Sequence, residues 1–290
     1  MTAVLFETLR RRRTPNVRRN SLGALGIAAA VVVVVAAVIA LCAPWVAPFD
    51  PTAVNFSNTY RPSGAGALLG TDGSGRDILS RLIHGARSSL LGPTIVVLIS
   101  SSLGTALALT AAMSGGWVDR VLSRLFDVGF AFPGLLLAIL AVSVLNPGFT
   151  TAVLALSVSY VPFVARIVRS VAIGELTLPY VTALVTLGQS RWRIATRHLL
   201  PAVLPTALAQ STICFGYALV DLAALSYLGL GVQPPDSDWG LMVAEGQRGL
   251  IQGYWEEALF AGAALVVIVT CVSLLGDRIA DRVSLNGDRR

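Results

Sequence analysis

The chain has 290 residues, of which 54% are hydrophobic and only 13% charged, and its mean hydropathy is +0.72. That is more apolar surface than a soluble domain of this length can bury, so the composition is that of a membrane protein. The net charge of +6 would suggest nucleic acid in a soluble protein, but all 22 basic residues are arginines clustered between apolar runs, a pattern that concerns topology. Cys42, Cys214 and Cys271 all sit inside apolar segments without metal-ligand spacing, and no metal site is expected.

A bilayer core of about 30 Å takes roughly 20 apolar residues of helix. An Arg-rich tail, 1–20, carries Arg10 to Arg13, Arg18 and Arg19 and precedes the first apolar run, Ser21 to Ala43. This run ends in Pro44-Trp45 instead of a small-residue cleavage site, so it is expected to stay as a membrane anchor. It opens a segment, 21–87, whose remainder lies outside the membrane. Within that remainder, LGTDGSGRDILSRLIHGARSSL (Leu69 to Leu90) has three glycines in six residues, Gly70, Gly73 and Gly75. A phosphate loop needs a lysine after its glycines, and the chain has no lysine, which excludes a nucleotide here.

The stretch instead predicts an amphipathic helix. Ser74 and Asp77 have capping-box spacing, Ile78, Leu79, Leu82, Ile83, Ala86 and Leu90 project to one side, and Arg76, Asp77, Arg81, His84 and Arg87 to the other. Asp77 and Arg81 stand at i,i+4. The helix is expected to lie in the interface and lead into the second span, either plugging the mouth or offering a docking surface to a soluble partner.

The second span is expected from about Ser88 to Met113, the third from Phe126 to Leu145 and the fourth from Thr151 to Val171, with Pro147-Gly148 as the turn between the last two. Pro133 and Pro162 are expected to kink or pack. The segment 172–204 then predicts two short helices. Thr177 caps the first, Pro179 lies in its first turn, Ala183, Leu184 and Leu187 give it an apolar face, and Gly188 ends it. Ser190 starts the second, which carries Arg191, Arg193 and Arg197 and which Pro201 stops or kinks. Such a knob with a positive rim suits either the grip of a cytoplasmic protein or contact with anionic headgroups.

The fifth span, Leu204 to Leu230, contains Asp221, a carboxylate that must face protein or water: it either lines a path or bonds a neighbouring helix. A polar loop with Asp236, Asp238 and Trp239 follows, then the sixth span, Ala258 to Leu275, and a tail, 276–290. Trp45, Trp239, Tyr254 and Trp255 fall near span ends, as interfacial anchors do. With both termini cytoplasmic, the inner segments carry 17 of the 22 arginines, as the positive-inside tendency requires. The expected fold is therefore an all-α membrane protein of six transmembrane helices. A short cytoplasmic helix lies between helices 4 and 5, and an amphipathic outer helix between helices 1 and 2.

Several stretches resemble the permease family of binding-protein-dependent ABC importers, in particular the C-type permease subunit of dipeptide, oligopeptide and nickel systems. The family's cytoplasmic loop reads Glu-Ala-Ala, three residues, Gly, nine residues, Ile-x-Leu-Pro. Thr182, Ala183, Leu184, Gly188, Leu200 and Pro201 sit at those spacings, with His198 in the Ile place. The departures are Thr182 for Glu and Leu184 for the second Ala. LGTDGSGRD, FDVGFAFPGLLLAIL, LSYLGLGVQPPDSDWGLMVAEG and GDRIADR are similar to the same subfamily, in the same order.

The resemblance implies a permease core over 88–275 of a plasma (inner) membrane importer of di- or oligopeptides, with nickel or another small solute as the alternative. A self-contained channel or secondary transporter is the reading from another class, but the sequence offers neither the inverted repeats nor the broken helices of that class. The implied partners are a second homologous permease, two cytoplasmic ATPases that hold the ATP and Mg, and an extracytoplasmic substrate-binding protein. No cofactor or catalytic site is expected in this chain. The resemblance makes Thr182, Ala183, Leu187, Gly188, Arg191, Arg193 and Arg197 the ATPase-coupling residues. It makes Arg76, Asp77, Arg81, Arg87, Asp236, Asp238 and Trp239 the binding-protein dock or outer gate, and Asp221 a candidate for the translocation path.

Overall fold

The computed structural model describes residues 24–64 and 66–287. The Arg-rich tail and the last three residues, and with them the expected placement of both termini, lie outside the described residues. Among the described residues the regular structure is helical, and the β pairing is a single bridge between Thr71 and Asp77.

Helix α1 (Ala24–Leu41) is an unbroken Ala/Val/Ile run. A loop leads to α2 (Ile78–Ser114), whose 37 residues join the expected outer helix and second span into one rod that passes through Pro93. Gly115, at φ +61, turns the chain into α3 (Gly116–Ala131). Helix α4 (Gly134–Leu145) then departs at 85°. The expected third span is thus broken, because Pro133 offers no N–H to continue the ladder and holds Phe132 in the extended region, φ −110° and ψ 133°. Helix α5 (Phe149–Leu176) runs back, and a short α6 (Pro179–Thr186) follows.

Helix α7 (Arg191–Tyr227) is continuous for 37 residues. Pro201 therefore neither stops nor ends the Arg-rich helix. A turn of π-helix at Ala195–Leu199, just ahead of Pro201, accommodates the missing hydrogen bond. After it come α8 (Trp239–Ile251), a helix where the sequence predicts only a polar loop, and α9 (Glu256–Gly287).

Four of these helices, α2, α5, α7 and α9, are long and apolar enough to cross a membrane, and the bent α3/α4 pair makes a fifth if counted as one span. The apolar part of α1, Leu25–Leu41, is shorter. Valines and leucines such as Val31, Leu98, Val158 and Val266 point outward, as lipid-facing residues do.

The interior has two parts. Val96, Ala108, Leu156, Val164, Val168, Val203, Cys214 and Leu225 join α2, α5 and α7, while Ile78, Ala86, Leu219, Trp239, Met242, Ala261 and Ile268 join α8 and α9 to them. Because lipid is as apolar as the side chains, close backbone approach at small residues supplies much of the helix adhesion. Gly104 of α2 is such a point: a Cβ there would stand 2.9 Å from Val164 Cβ and 3.1 Å from the Val161 carbonyl. Gly104→Leu is expected to cost about 1–3 kcal/mol by overpacking, read as a lower unfolding midpoint in detergent. Gly174→Leu, on an open face with nothing within 4 Å, is the control that should leave the midpoint in place.

Candidate functional site

The α2 start, α8 and the α9 start meet at one end of the bundle around Arg81, which is 0% exposed. Its Nη1 donates to Asp72 Oδ2 at 2.7 Å and Glu257 Oε1 at 2.5 Å, and its Nη2 to Glu245 Oε2 at 2.5 Å. Arg76 donates to two of the same oxygens, Asp72 Oδ2 at 2.6 Å and Glu245 Oε2 at 2.9 Å. Three carboxylates whose oxygens lie within 4.8 Å of one another have the composition of a cation site. Here the cation between them is the Arg81 guanidinium, with Arg76 beside it.

The glycines before this cluster serve packing. Gly75, at φ +74, passes so close to the Asn55 carbonyl that a Cβ would overlap it, and Gly73 lies under the Tyr60 ring. Asp72 Oδ1 accepts the backbone N–H groups of Ser74 and Arg76, which closes the loop and aims Oδ2 at the arginines.

These contacts correct the water-facing side expected for the amphipathic helix. Arg76, Asp77 and Arg81 are buried, and of the candidate docking residues only Arg87 and Asp236 are exposed. Asp77, not Ser74, is the N-cap: its Oδ2 accepts from Ser80 N at 2.8 Å and Ser80 Oγ at 2.7 Å, and it forms no side-chain pair with Arg81. The reason is Glu245 and Glu257, 164 and 176 positions from Arg81 in sequence, which with Asp72 surround the guanidinium with acceptors while Asp77 is engaged by Ser80. A charge reversal at Arg76 or Arg81 therefore reports on this cluster before it reports on docking.

Asp238 and Trp239 are also buried and fasten α8 to α2. Asp238 caps α8 by accepting from Gly240 N at 2.9 Å and Leu241 N at 3.3 Å, and it accepts from Ser89 Oγ at 2.7 Å. Burial pushes its carboxyl above the usual carboxylate range, against the pull of those hydrogen bonds. Trp239 Nε1 donates to the Leu82 carbonyl at 2.9 Å across Gly85, where a Cβ would press on the indole. The loop and the helix after Gly75 pack on each other at this end.

At the opposite end, α6 and the start of α7 stand clear of the bundle. Gly188, at φ +74, makes the turn after α6 that the sequence predicts, and Ser190 caps the next helix by accepting from Arg193 N at 3.3 Å. Thr177 does not cap α6: its hydroxyl donates back to the Gly174 carbonyl at 2.7 Å. Thr182, Ala183, Leu187 (77% exposed), Arg191, Arg193 and Arg197 all lie on the surface, and Arg191 Nη1 donates to the Met113 carbonyl at 3.3 Å. Val185 and Trp192, the latter 78% exposed, extend the apolar knob and were missed in the sequence, where each reads as an ordinary core residue. Below them Asp119 holds Arg169 through two bonds of 2.6 Å, joining α3 to α5.

Between the ends, a cleft of about 400 Å³ opens at the α3/α4 break, walled by Phe130, Pro133, Tyr160, Phe163, Tyr217 and Asp221. The Tyr160 hydroxyl donates to Asp221 Oδ2 at 2.9 Å. Asp221 thus bonds a neighbouring helix, as one of the two sequence readings expects, and also lines this cleft. A lone carboxylate at such depth costs about 2.5–3.5 kcal/mol on insertion scales, and one phenol offsets only part of that.

The family model described as "Binding-protein-dependent transport system inner membrane component" matches residues 101–285. The chain belongs to this family. It is 33% identical over 257 residues to the probable D,D-dipeptide transport system permease protein DdpC of Escherichia coli (strain K12), covering 89% of this chain and 86% of that one. It is 38% identical over 248 residues to the di/tripeptide transport system permease protein DppC of Pseudomonas aeruginosa (strain UCBPP-PA14), covering 83% and 82%. An inward-facing structure of the MetNI methionine ABC transporter shares the fold, with a TM-score of 0.59 at 20% identity over 71% of this chain and 97% of that one. The protein is accordingly a multi-pass inner-membrane permease component, and the described residues place its ionic cluster, knob and cleft on one continuous helical frame.

Removing Arg81 from this permease leaves three carboxylates with only Arg76 among them, and Glu257 without a cation partner. Arg81→Met is expected to cost about 3–5 kcal/mol, as breaking a buried pair does, seen as a lower unfolding midpoint in detergent. Adding Glu257→Gln should recover part of the loss, because it removes one of the orphaned charges.

Proposed function

We propose that the chain is the membrane-spanning permease subunit of an ATP-driven importer that carries di- or oligopeptides across the plasma membrane. Peptide cargo is supported by the relatives, whose names specify dipeptide and di/tripeptide transport. The observation that carries the mechanism is the exposed turn at Gly188. An apolar knob of Ala183, Val185, Leu187 and Trp192, rimmed by Arg191, Arg193 and Arg197, projects from the bundle where soluble chains can seat it. An apolar knob with a cationic rim fits a cleft on a cytoplasmic ATPase.

In this reading the Gly188 end is cytoplasmic and the Arg81 end faces out, with α1 as the sixth span and both termini inside. The partners are a second homologous permease, two ATPases that bind ATP and Mg, and a binding protein that delivers cargo. This chain supplies no cofactor site of its own. Arg87 and Asp236 remain available for the binding protein to touch, while Arg76, Asp77, Arg81, Asp238 and Trp239 hold the outer gate together.

Motion at the ATPases reaches the path through the two helices that flank the knob. The knob is tied covalently to α5 on one side and α7 on the other, and these carry Tyr160 and Asp221. At 1.5 Å per residue α7 is a rod of about 55 Å, so a shift at Trp192 becomes a rigid-body displacement of the cleft wall.

Gly188→Arg places a side chain at positive φ in the centre of the knob. It is expected to abolish peptide uptake while the ATPases still hydrolyse ATP, measured side by side in membrane vesicles. Wild-type uptake in this variant would remove the assignment of the knob.

A further inference from the structure

Asp221 has an unfilled requirement. Oδ2 accepts one hydrogen bond, from Tyr160, and among the described residues no donor pairs with Oδ1 and no arginine forms an ion pair with either oxygen. Arg166, whose guanidinium lies 5.0 Å from the ring centre of the lining residue Phe130, leans toward Asp127 at 4.0 Å. The chain has no lysine, so among the described residues no cation compensates Asp221. A carboxylate held in an apolar span is retained when it has a partner in at least one working state.

The surroundings define that partner. Asp221 is the one acid in the cleft lining, and Tyr160, Tyr217, Phe130 and Phe163 present aromatic surface around it. Aromatic faces attract cations and tolerate varied apolar groups. A volume of about 400 Å³ admits an ammonium group with a residue or two attached.

We propose that Asp221, positioned by Tyr160, forms a subsite within the permease that binds the protonated amino group of the cargo during passage. The subsite accepts solutes bearing a free amine and disfavours anionic or N-blocked ones. Tyr160 acts as a positioning residue, fixing Oδ2 so that Oδ1 faces the opening. The inference rests on the peptide-importer reading and adds selection by the permease itself.

The test uses the whole transporter in proteoliposomes, with its ATPases, second permease and binding protein, and radiolabelled dialanine as probe. Asp221→Asn preserves shape and can still accept from Tyr160. The dialanine carried per ATP hydrolysed is expected to fall about tenfold, the scale of one lost charge-assisted hydrogen bond. Asp221→Glu should recover most of the ratio, and Tyr160→Phe should give an intermediate value. An unchanged ratio in Asp221→Asn overturns the proposal, as does an equal fall in transport and hydrolysis, which marks a structural role. Loss of the second permease from the purified Asp221→Asn complex also overturns it, assigning the missing cation to that chain. If the unsubstituted complex hydrolyses ATP but carries no dialanine, the peptide reading itself fails, and that outcome is visible before any substitution is made.

Discussion

A guanidinium removed from water has to be surrounded by acceptors, and around Arg81 those acceptors come from three separate places in the chain. Asp72 belongs to the loop before α2, Glu245 to α8 and Glu257 to the start of α9. That convergence pins the polar loop before α2 to α8, whose Trp239 and Met242 are already buried against the bundle. The carboxylates would repel one another without the arginines, and the arginines would be desolvated without the carboxylates. The Asp238 cap and the Trp239 indole then fasten α8 to α2 a turn further along, and the end of the bundle becomes a single fitted piece.

The two ends are built on opposite terms. At the Arg81 end, charges are buried, paired and enclosed; at the Gly188 end, apolar side chains and arginines are left on the surface. The first arrangement resists movement, while the second leaves binding energy to be gained from a partner. In the importer we propose, the first is the closed outer face and the second the handle by which ATP-driven motion is applied. The two helices that flank the Gly188 knob are also those that meet as Tyr160 and Asp221, so the knob and the cleft wall are built on the same rods.

Much of this was legible in the sequence because it depends on local rules. Four long apolar helices followed from apolar length, the Gly188 turn from glycine's access to positive φ, and the Ser190 cap from its hydroxyl just before an Arg-rich turn. What escaped depends on distant partners. Arg81 sits on the polar side of a helical projection, and nothing near it reveals that Glu245 and Glu257 will cover it. Helix α8 was hidden because Gly246 and Gly249 weaken its pattern, although they permit the close approach to Ala258 and Tyr254 that holds it in place. Pro133 announced a disturbance but not an 85° break, since the angle is set by what α4 packs against. Pro201, expected to stop or kink its helix, does not stop it: it follows a widened turn within a helix that continues.

That widened turn sets the phase of α7. A π turn inserts about one residue into the helical count, which rotates everything beyond it by roughly 100° relative to an uninterrupted helix. Ala195–Leu199 lies between the Trp192 knob and Asp221. The direction in which Asp221 points, seen from the knob, is therefore fixed by a single extra residue near the handle. One rod thus carries two separate settings, its length for the distance from the knob to the cleft and its winding for the side chain that it presents there.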